Sequence, residues 1–136
     1  MKVVLLALLF SLSLLGADIK WEKEYNTALR HAKEQHKPLL FIVSNHNCRY
    51  CVELESKTLK NPKVIQKVNA EYVPLIVYVD QDPMFPRDLY VGGTPATWFI
   101  SGNGEPMFQP LMGAIDSANF LKALELVSAE NKKVKK

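Results

Sequence analysis

Apolar and polar positions alternate along this chain in blocks whose period changes, and each change marks an element. Trp21, Tyr25, Ala28, Leu29 and Ala32 recur at helical spacing with charged residues between them. That predicts an amphipathic helix from Lys20 to about His36, closed by Pro38. Leu39 to Val43 is a short continuous apolar run between breakers, the pattern of a strand buried on both faces. The polar turn Ser44-Asn45-His46-Asn47 follows, and a helix is expected from near Cys48 through Leu54 toward Leu59. Asn61-Pro62 is a cap followed by a first-turn proline, so a further helix runs to about Asn69 and presents Val64, Ile65 and Val68. Tyr72 to Val79 is a second buried strand, and Asp80 to Asp88 is a polar loop. After Gly92-Gly93-Thr94-Pro95, Ala96 to Ile100 reads as a strand. Ser101-Gly102-Asn103-Gly104 reads as a hairpin turn and Pro106 to Met112 as the return strand. Gly113 breaks that strand. Asp116 or Ser117 caps a last helix whose apolar face is Phe120, Leu121, Leu124 and Val127.

The order predicts an α/β fold, a central mixed sheet with helices on both faces. The first two strands are joined through helices and should be parallel with a right-handed crossover, whereas the closing hairpin is antiparallel. The chain has 136 residues, 48% of them hydrophobic. That is enough for one domain with a real core.

The first segment has a different character. Lys2 precedes the apolar run Val3 to Leu15, then Gly16 and Ala17, which reads as a secretory signal over residues 1–17. The run is short for a membrane span. The position two before either candidate cleavage point is leucine, so retention as an N-terminal anchor stays open. No lipobox cysteine is present. The domain proper is expected over residues 18–130, outside the cytoplasm, periplasmic or secreted. The formal net charge is +3, and much of the excess lies in Lys132, Lys133, Lys135 and Lys136. With no aromatic residue interleaved, residues 131–136 read as a solvated basic tail, not a nucleic-acid site.

Export changes the reading of the two cysteines, Cys48 and Cys51, because disulfides form and persist outside the cytosol. A bridge across two intervening residues closes too short a loop to stabilise much, so the spacing favours chemistry. In a helix the pair shares one face, close enough to bridge. Cys48 stands at the helix start, where unpaired N–H groups favour a thiolate, and Arg49 adds a formal charge nearby. Cys48 is therefore the expected nucleophile and Cys51, one turn inside, the resolving thiol of a redox-active disulfide. No cofactor is required. A purely structural bridge and half a zinc site are the competing readings. Zinc would need further ligands, and His31, His36 and His46 lack a matching paired spacing. His46, two residues before Cys48, either tunes its thiol or is a solvated loop residue. Glu53 and Glu55 read as surface residues of the helix after Cys51. Thr94-Pro95 is a candidate cis bond, an ordinary trans turn being the alternative.

Taken together, Pro38 to Val43, Cys48-Arg49-Tyr50-Cys51, Val77-Tyr78-Val79-Asp80, Gly92-Gly93-Thr94-Pro95, Gly102-Asn103-Gly104-Glu105 and Gly113-Ala114-Ile115 resemble the thioredoxin family in order and spacing. The likeness covers nearly everything after the signal. It implies a thioredoxin-like three-layer sandwich. It also implies a cis Pro95 packed beside the cysteines, a Thr94 backbone that pairs with extended substrate, and Gly113 near the same surface. Arg49 and Tyr50, between the cysteines, would support substrate binding. The chain departs from plain thioredoxins. Asn47 stands where the family has tryptophan, and Arg49-Tyr50 replaces Gly-Pro. The buried aspartate and its lysine partner fall at Ile42 and near Ile76. The sequence is more similar to exported thiol–disulfide interchange proteins. That implies an enzyme acting on protein disulfides in the cell envelope, most simply a monomeric reductase that exchanges electrons with a membrane partner. The alternatives are an oxidase or isomerase of exported proteins, or a non-catalytic binding module that uses the Thr94-Pro95 groove.

Overall fold

The computed structural model describes residues 17–134. The export segment expected at residues 1–17 lies, but for Ala17, outside the described residues, as do Lys135 and Lys136. The elements are α1 (Tyr25–Gln35), β1 (Leu39–Ser44), α2 (Arg49–Ser56), α3 (Pro62–Glu71), β2 (Val73–Tyr78), β3 (Ala96–Ile100), β4 (Leu111–Met112) and α4 (Ser117–Val134). They build one mixed sheet in the order β2-β1-β3-β4. β1 and β2 are parallel, and β3 runs antiparallel to both β1 and β4.

Both faces of β1 are covered, which is why its sequence is a continuous apolar run with every residue buried. Side chains alternate across the sheet. Leu39, Phe41 and Val43 meet Tyr25, Ala28 and Ala32 of α1, whereas Leu40 and Ile42 meet Leu54, Val64, Val68, Phe120 and Leu124 from α2, α3 and α4. The expected arrangement, a central mixed sheet with helices on both faces, is the one observed. Among the described residues no helix is long and apolar enough to cross a membrane.

Three boundaries differ from the sequence expectation, each for a physical reason. The first helix starts at Tyr25, not Lys20. The stretch before it is not helical because its backbone bonds elsewhere, to the outer edge of β2 and to α3. The Glu22 amide donates to the Pro74 carbonyl at 2.8 Å, and the Lys20 amide to Asn69 Oδ1 at 2.9 Å. Pro74, which has no N–H, suits that edge. The helix after Cys48 stops at Ser56, because Thr58 turns inward and donates to the Ile115 carbonyl at 2.6 Å. A short turn over Thr58–Lys60 then leads to Asn61, which caps α3. The return strand is only Leu111–Met112, with one isolated bridge between Ile100 and Pro106. Pro106 and Pro110 lack the donors a longer ladder would need. The Asp80–Asp88 loop contains turns at Val79–Gln81 and Arg87–Leu89, the second held by Trp98 Nε1 donating to the Leu89 carbonyl at 2.9 Å. The hairpin packs closely on α1: a Cβ at Gly102 would sit 2.9 Å from the Lys33 Cα.

The α4 face of the core rests on Phe120, which is fully buried. Replacing Phe120 by alanine removes that side chain and leaves a cavity. Urea unfolding should show a loss of about 3–5 kcal/mol. A loss below about 1 kcal/mol, within the range of an ordinary surface change, would contradict this packing.

Candidate active site

The site lies where β1 ends. Its last residue, Ser44, enters the polar turn, in which Asn45 Oδ1 accepts from the Asn47 amide at 2.8 Å and the Asn45 carbonyl from the Cys48 amide at 3.3 Å. This turn sets Cys48 in an extended conformation as the N-cap of α2. Helix starts leave N–H groups without partners. Here the Cys48 sulfur takes the role usually held by a serine or aspartate oxygen, accepting from the Cys51 amide at 3.2 Å.

Burial separates the two thiols, both free in this structure. Cys48 is partly exposed, and Cys51 is fully buried. Loss of water pushes the Cys48 thiol up. Hydrogen bonds from the side chains of Cys51 and Thr94 and the backbone of Cys51 and Tyr50 outweigh it and bring the thiol below its ordinary value. Burial pushes the Cys51 thiol up, and the hydrogen bond it gives to Cys48 adds to this. Contacts with Thr94, Ser44 and the Asn45 backbone offset only part of the rise. The arrangement thus favours a proton on Cys51 and a thiolate on Cys48.

The Thr94–Pro95 peptide is cis. It faces the cysteines: Cys48 Sγ lies 3.4 Å from the Thr94 carbonyl oxygen. Gly113, at φ +89°, donates its amide to the Pro95 carbonyl at 3.0 Å, so the start of the last loop closes on the same spot. That φ is a region few residues other than glycine adopt. Tyr50, Val52, Tyr90, Val91 and Met112, each within a few residues of these positions along the chain, are exposed. Arg49 does not engage the sulfur. Its guanidinium stands over the Tyr50 ring, 5.9 Å from the centroid. Thus Thr94 meets Cys48 directly and Gly113 is tied to the cis proline that follows it, while Arg49 and Tyr50 pair with each other.

His46 is half-exposed, yet it is pinned. Its Nδ1 lies 2.8 Å from Asp80 Oδ2, its amide donates to Asp80 Oδ1 at 3.1 Å, and its ring stacks on Tyr78 with centroids 3.8 Å apart. The hydrogen bond from His46 holds the Asp80 carboxyl below its usual value.

Glu55 is a correction to the sequence reading, which placed it on the helix surface. Its carboxylate turns toward the sheet and accepts from Ser44 Oγ at 2.9 Å and from the Tyr78 hydroxyl. Burial, then Glu55, pushes the Tyr78 phenol far above its ordinary value. The signal was available. Ser44 and Tyr78 are polar residues that end two apolar strands, they are register partners, and Glu55 lies one helical turn beyond Cys51. Among the described residues no three His, Cys, Asp or Glu side chains form a group that could hold a metal ion.

Comparison with known proteins places this geometry. Residues 25–128 match the family model of a thioredoxin-like domain. A thioredoxin from Thermus thermophilus is similar in structure, with a TM-score of 0.72 and 26% identity over 88% of this chain and 95% of that one. DsbH oxidoreductase shares the fold at a TM-score of 0.69 and 20% identity, over 84% of this chain and 87% of that one. In sequence, mouse (Mus musculus) anterior gradient protein 3 is 32% identical over 60 residues, 44% of this chain. The matched stretch is 36% of that protein, so the chain spans about a third of its length.

The two thiols should differ in reactivity. In the reduced protein, alkylation at Cys48 should climb as pH rises through a value below that of an ordinary thiol and then level off. Cys51 should stay unmodified in the same window. Mass-mapped iodoacetamide labelling across pH reads both. Faster labelling of Cys51 than of Cys48 would reverse the assigned roles.

Proposed function

The chain belongs to the thioredoxin-like domain family, and from that premise we propose that it is a thiol–disulfide oxidoreductase, a reductase or interchange protein for protein disulfides in the cell envelope. In the reductive direction the Cys48 thiolate attacks a substrate disulfide and displaces one substrate thiolate. Cys51 then attacks the mixed disulfide and releases the second. The protein leaves as the Cys48–Cys51 disulfide, which a dithiol donor must reduce again. A membrane-bound donor outside the cytoplasm fits the export segment read in the sequence.

The observation that carries the direction is what acts on Cys48. Strong oxidants owe their potential to a heavily stabilised thiolate, because that favours the reduced form. In this site the groups that lower Cys48 are hydrogen-bond donors working against burial. The nearest cation in the sequence, Arg49, is turned onto Tyr50. That no charged side chain is among the groups that lower Cys48 is what favours a reducing pair in this reading. Tyr50, Val52, Tyr90, Val91 and Met112 offer apolar contact to a protein segment laid beside Thr94.

The test is the reduction potential of the Cys48–Cys51 pair against glutathione. A value near about −270 mV, that of a thioredoxin, supports the reductase. A value near about −120 mV, that of a strong periplasmic oxidant, makes the protein a disulfide donor instead. Cys48→Ser should abolish insulin reduction. A Cys48→Ser protein that retained turnover would remove the mechanism altogether, and one that merely held its partners would mark a binding module.

A further inference from the structure

The two halves of the site sit on separate parts of the chain, and one buried side chain ties them together away from the sulfurs. Cys48 and Cys51 stand at the start of α2. Thr94 and Pro95 lead into β3, and Gly113 follows β4. The Gly113 amide donates to the Pro95 carbonyl at 3.0 Å, and the Ile115 amide donates to the Gly113 carbonyl at 3.0 Å. The Ile115 carbonyl in turn accepts from the Thr58 hydroxyl at 2.6 Å. Thr58 opens the turn that follows α2. A continuous line of hydrogen bonds therefore runs from the far end of the cysteine helix to the residue after Thr94.

The identity of residue 58 points to that line. Thr58 is buried. Packing alone would be served by valine, which has the same shape and no polar group to satisfy. A buried hydroxyl is costly unless it is bonded, so the bond to Ile115 is what threonine adds. Thr58 is itself held, because its carbonyl accepts from the Asn61 amide at 3.2 Å where α3 is capped. The loop between β4 and α4 is fixed at its start by Gly113 and at its end by Asp116, whose carboxylate accepts from the Asn119 amide at 2.8 Å. Thr58 fixes its middle. The whole of α2, about 12 Å of helix, separates Thr58 from Cys48.

We propose that Thr58 is a positioning residue for protein substrates: its hydroxyl holds the Gly113–Ile115 loop against Pro95 and so keeps the substrate groove formed before a substrate arrives. This rests on the reading that a protein segment lies beside Thr94. Without the hydroxyl the Ile115 carbonyl loses its partner, the loop relaxes, and Gly113 is held to Pro95 less firmly. Each substrate must then order the groove as it binds, and that cost weakens binding. The Cys51 amide that supports the Cys48 thiolate lies at the other end of α2, so the chemistry at sulfur is spared.

The experiment measures insulin reduction by the full chain, with dithiothreitol as the dithiol donor. Thr58→Val should raise the KM for insulin roughly fivefold, the scale of one lost hydrogen bond. It should leave kcat, and the rate of Cys48 alkylation by iodoacetamide, within about twofold of wild type, as loss of uniform binding does. Thr58→Ser, which keeps the hydroxyl, should restore the KM. The Gly113 amide, followed by NMR, should exchange with solvent faster in Thr58→Val than in wild type. A wild-type KM in Thr58→Val would overturn the inference, as would a Thr58→Ser protein with the same raised KM. So would a joint decline of insulin affinity, kcat and Cys48 alkylation, the mark of a merely structural role. Met112→Ala trims an exposed side chain beside Gly113 and should raise the insulin KM by itself. If it did not, the reading of the groove would fail and the inference with it. A raised KM in Met112→Ala beside a wild-type KM in Thr58→Val would overturn the inference alone.

Discussion

The site depends on one hydrogen bond, from the Cys51 amide to the Cys48 sulfur at 3.2 Å. It is at once the cap of α2 and the start of the chemistry. A helix needs an acceptor at its first residue, and when that acceptor is sulfur, the same donor favours the thiolate. The cap also fixes where the second thiol goes. Cys51 must then stand one turn inside, against the end of β1, where it is fully buried. Exposure of one sulfur and enclosure of the other are thus a single geometric consequence, and they set the opposite directions of the two thiols.

The two central strands end in a polar pair, not an apolar one. Register pairs Ile42 with Ile76 and, one side-chain step further, Ser44 with Tyr78. The family's buried acid and its partner resemble positions Ile42 and Ile76, both apolar in this chain. The polar groups lie instead at the next pair along the strands, and the acid comes from α2 as Glu55. The shift keeps Ile42 in the apolar layer with Leu40 and Phe99. It also brings the carboxylate to the edge of that layer, beside a surface cleft, where its charge loses less hydration than it would between α2 and the middle of the sheet.

Much of this was legible in the sequence, and the failures share a cause. The runs Leu39–Ser44, Val73–Tyr78 and Ala96–Ile100 show as strands because burial on both faces leaves an uninterrupted apolar block. The cysteine pair carries its signal in spacing, whereas the cis Pro95 and the place of Gly113 came from the resemblance to the thioredoxin family. Trp21 kept helical period with Tyr25, yet its segment is not helical, because a backbone partner on β2 outside the periodic window claims the next residue, Glu22. Glu55 sits among charged residues, and period alone assigns it to solvent. Only the register of two strands distant in sequence shows that Ser44 and Tyr78 wait for it. Periodicity reports the environment of a face, whereas a polar contact depends on which residues of other elements end there.

That distinction bears on how one fold supports different redox chemistry. The cap, the paired thiols and the cis peptide come from local sequence, and any chain with those motifs places two sulfurs beside a backbone carbonyl. What differs between chains is which side chains surround them, and in this chain non-local pairs such as Ser44 with Tyr78 decide that. In this chain Arg49 leaves the sulfur for Tyr50 while a buried hydroxyl and a carboxylate gather behind Cys51. The acid therefore gathers with the polar ends of β1 and β2, while the cation next to the nucleophile in sequence turns onto its neighbour's ring.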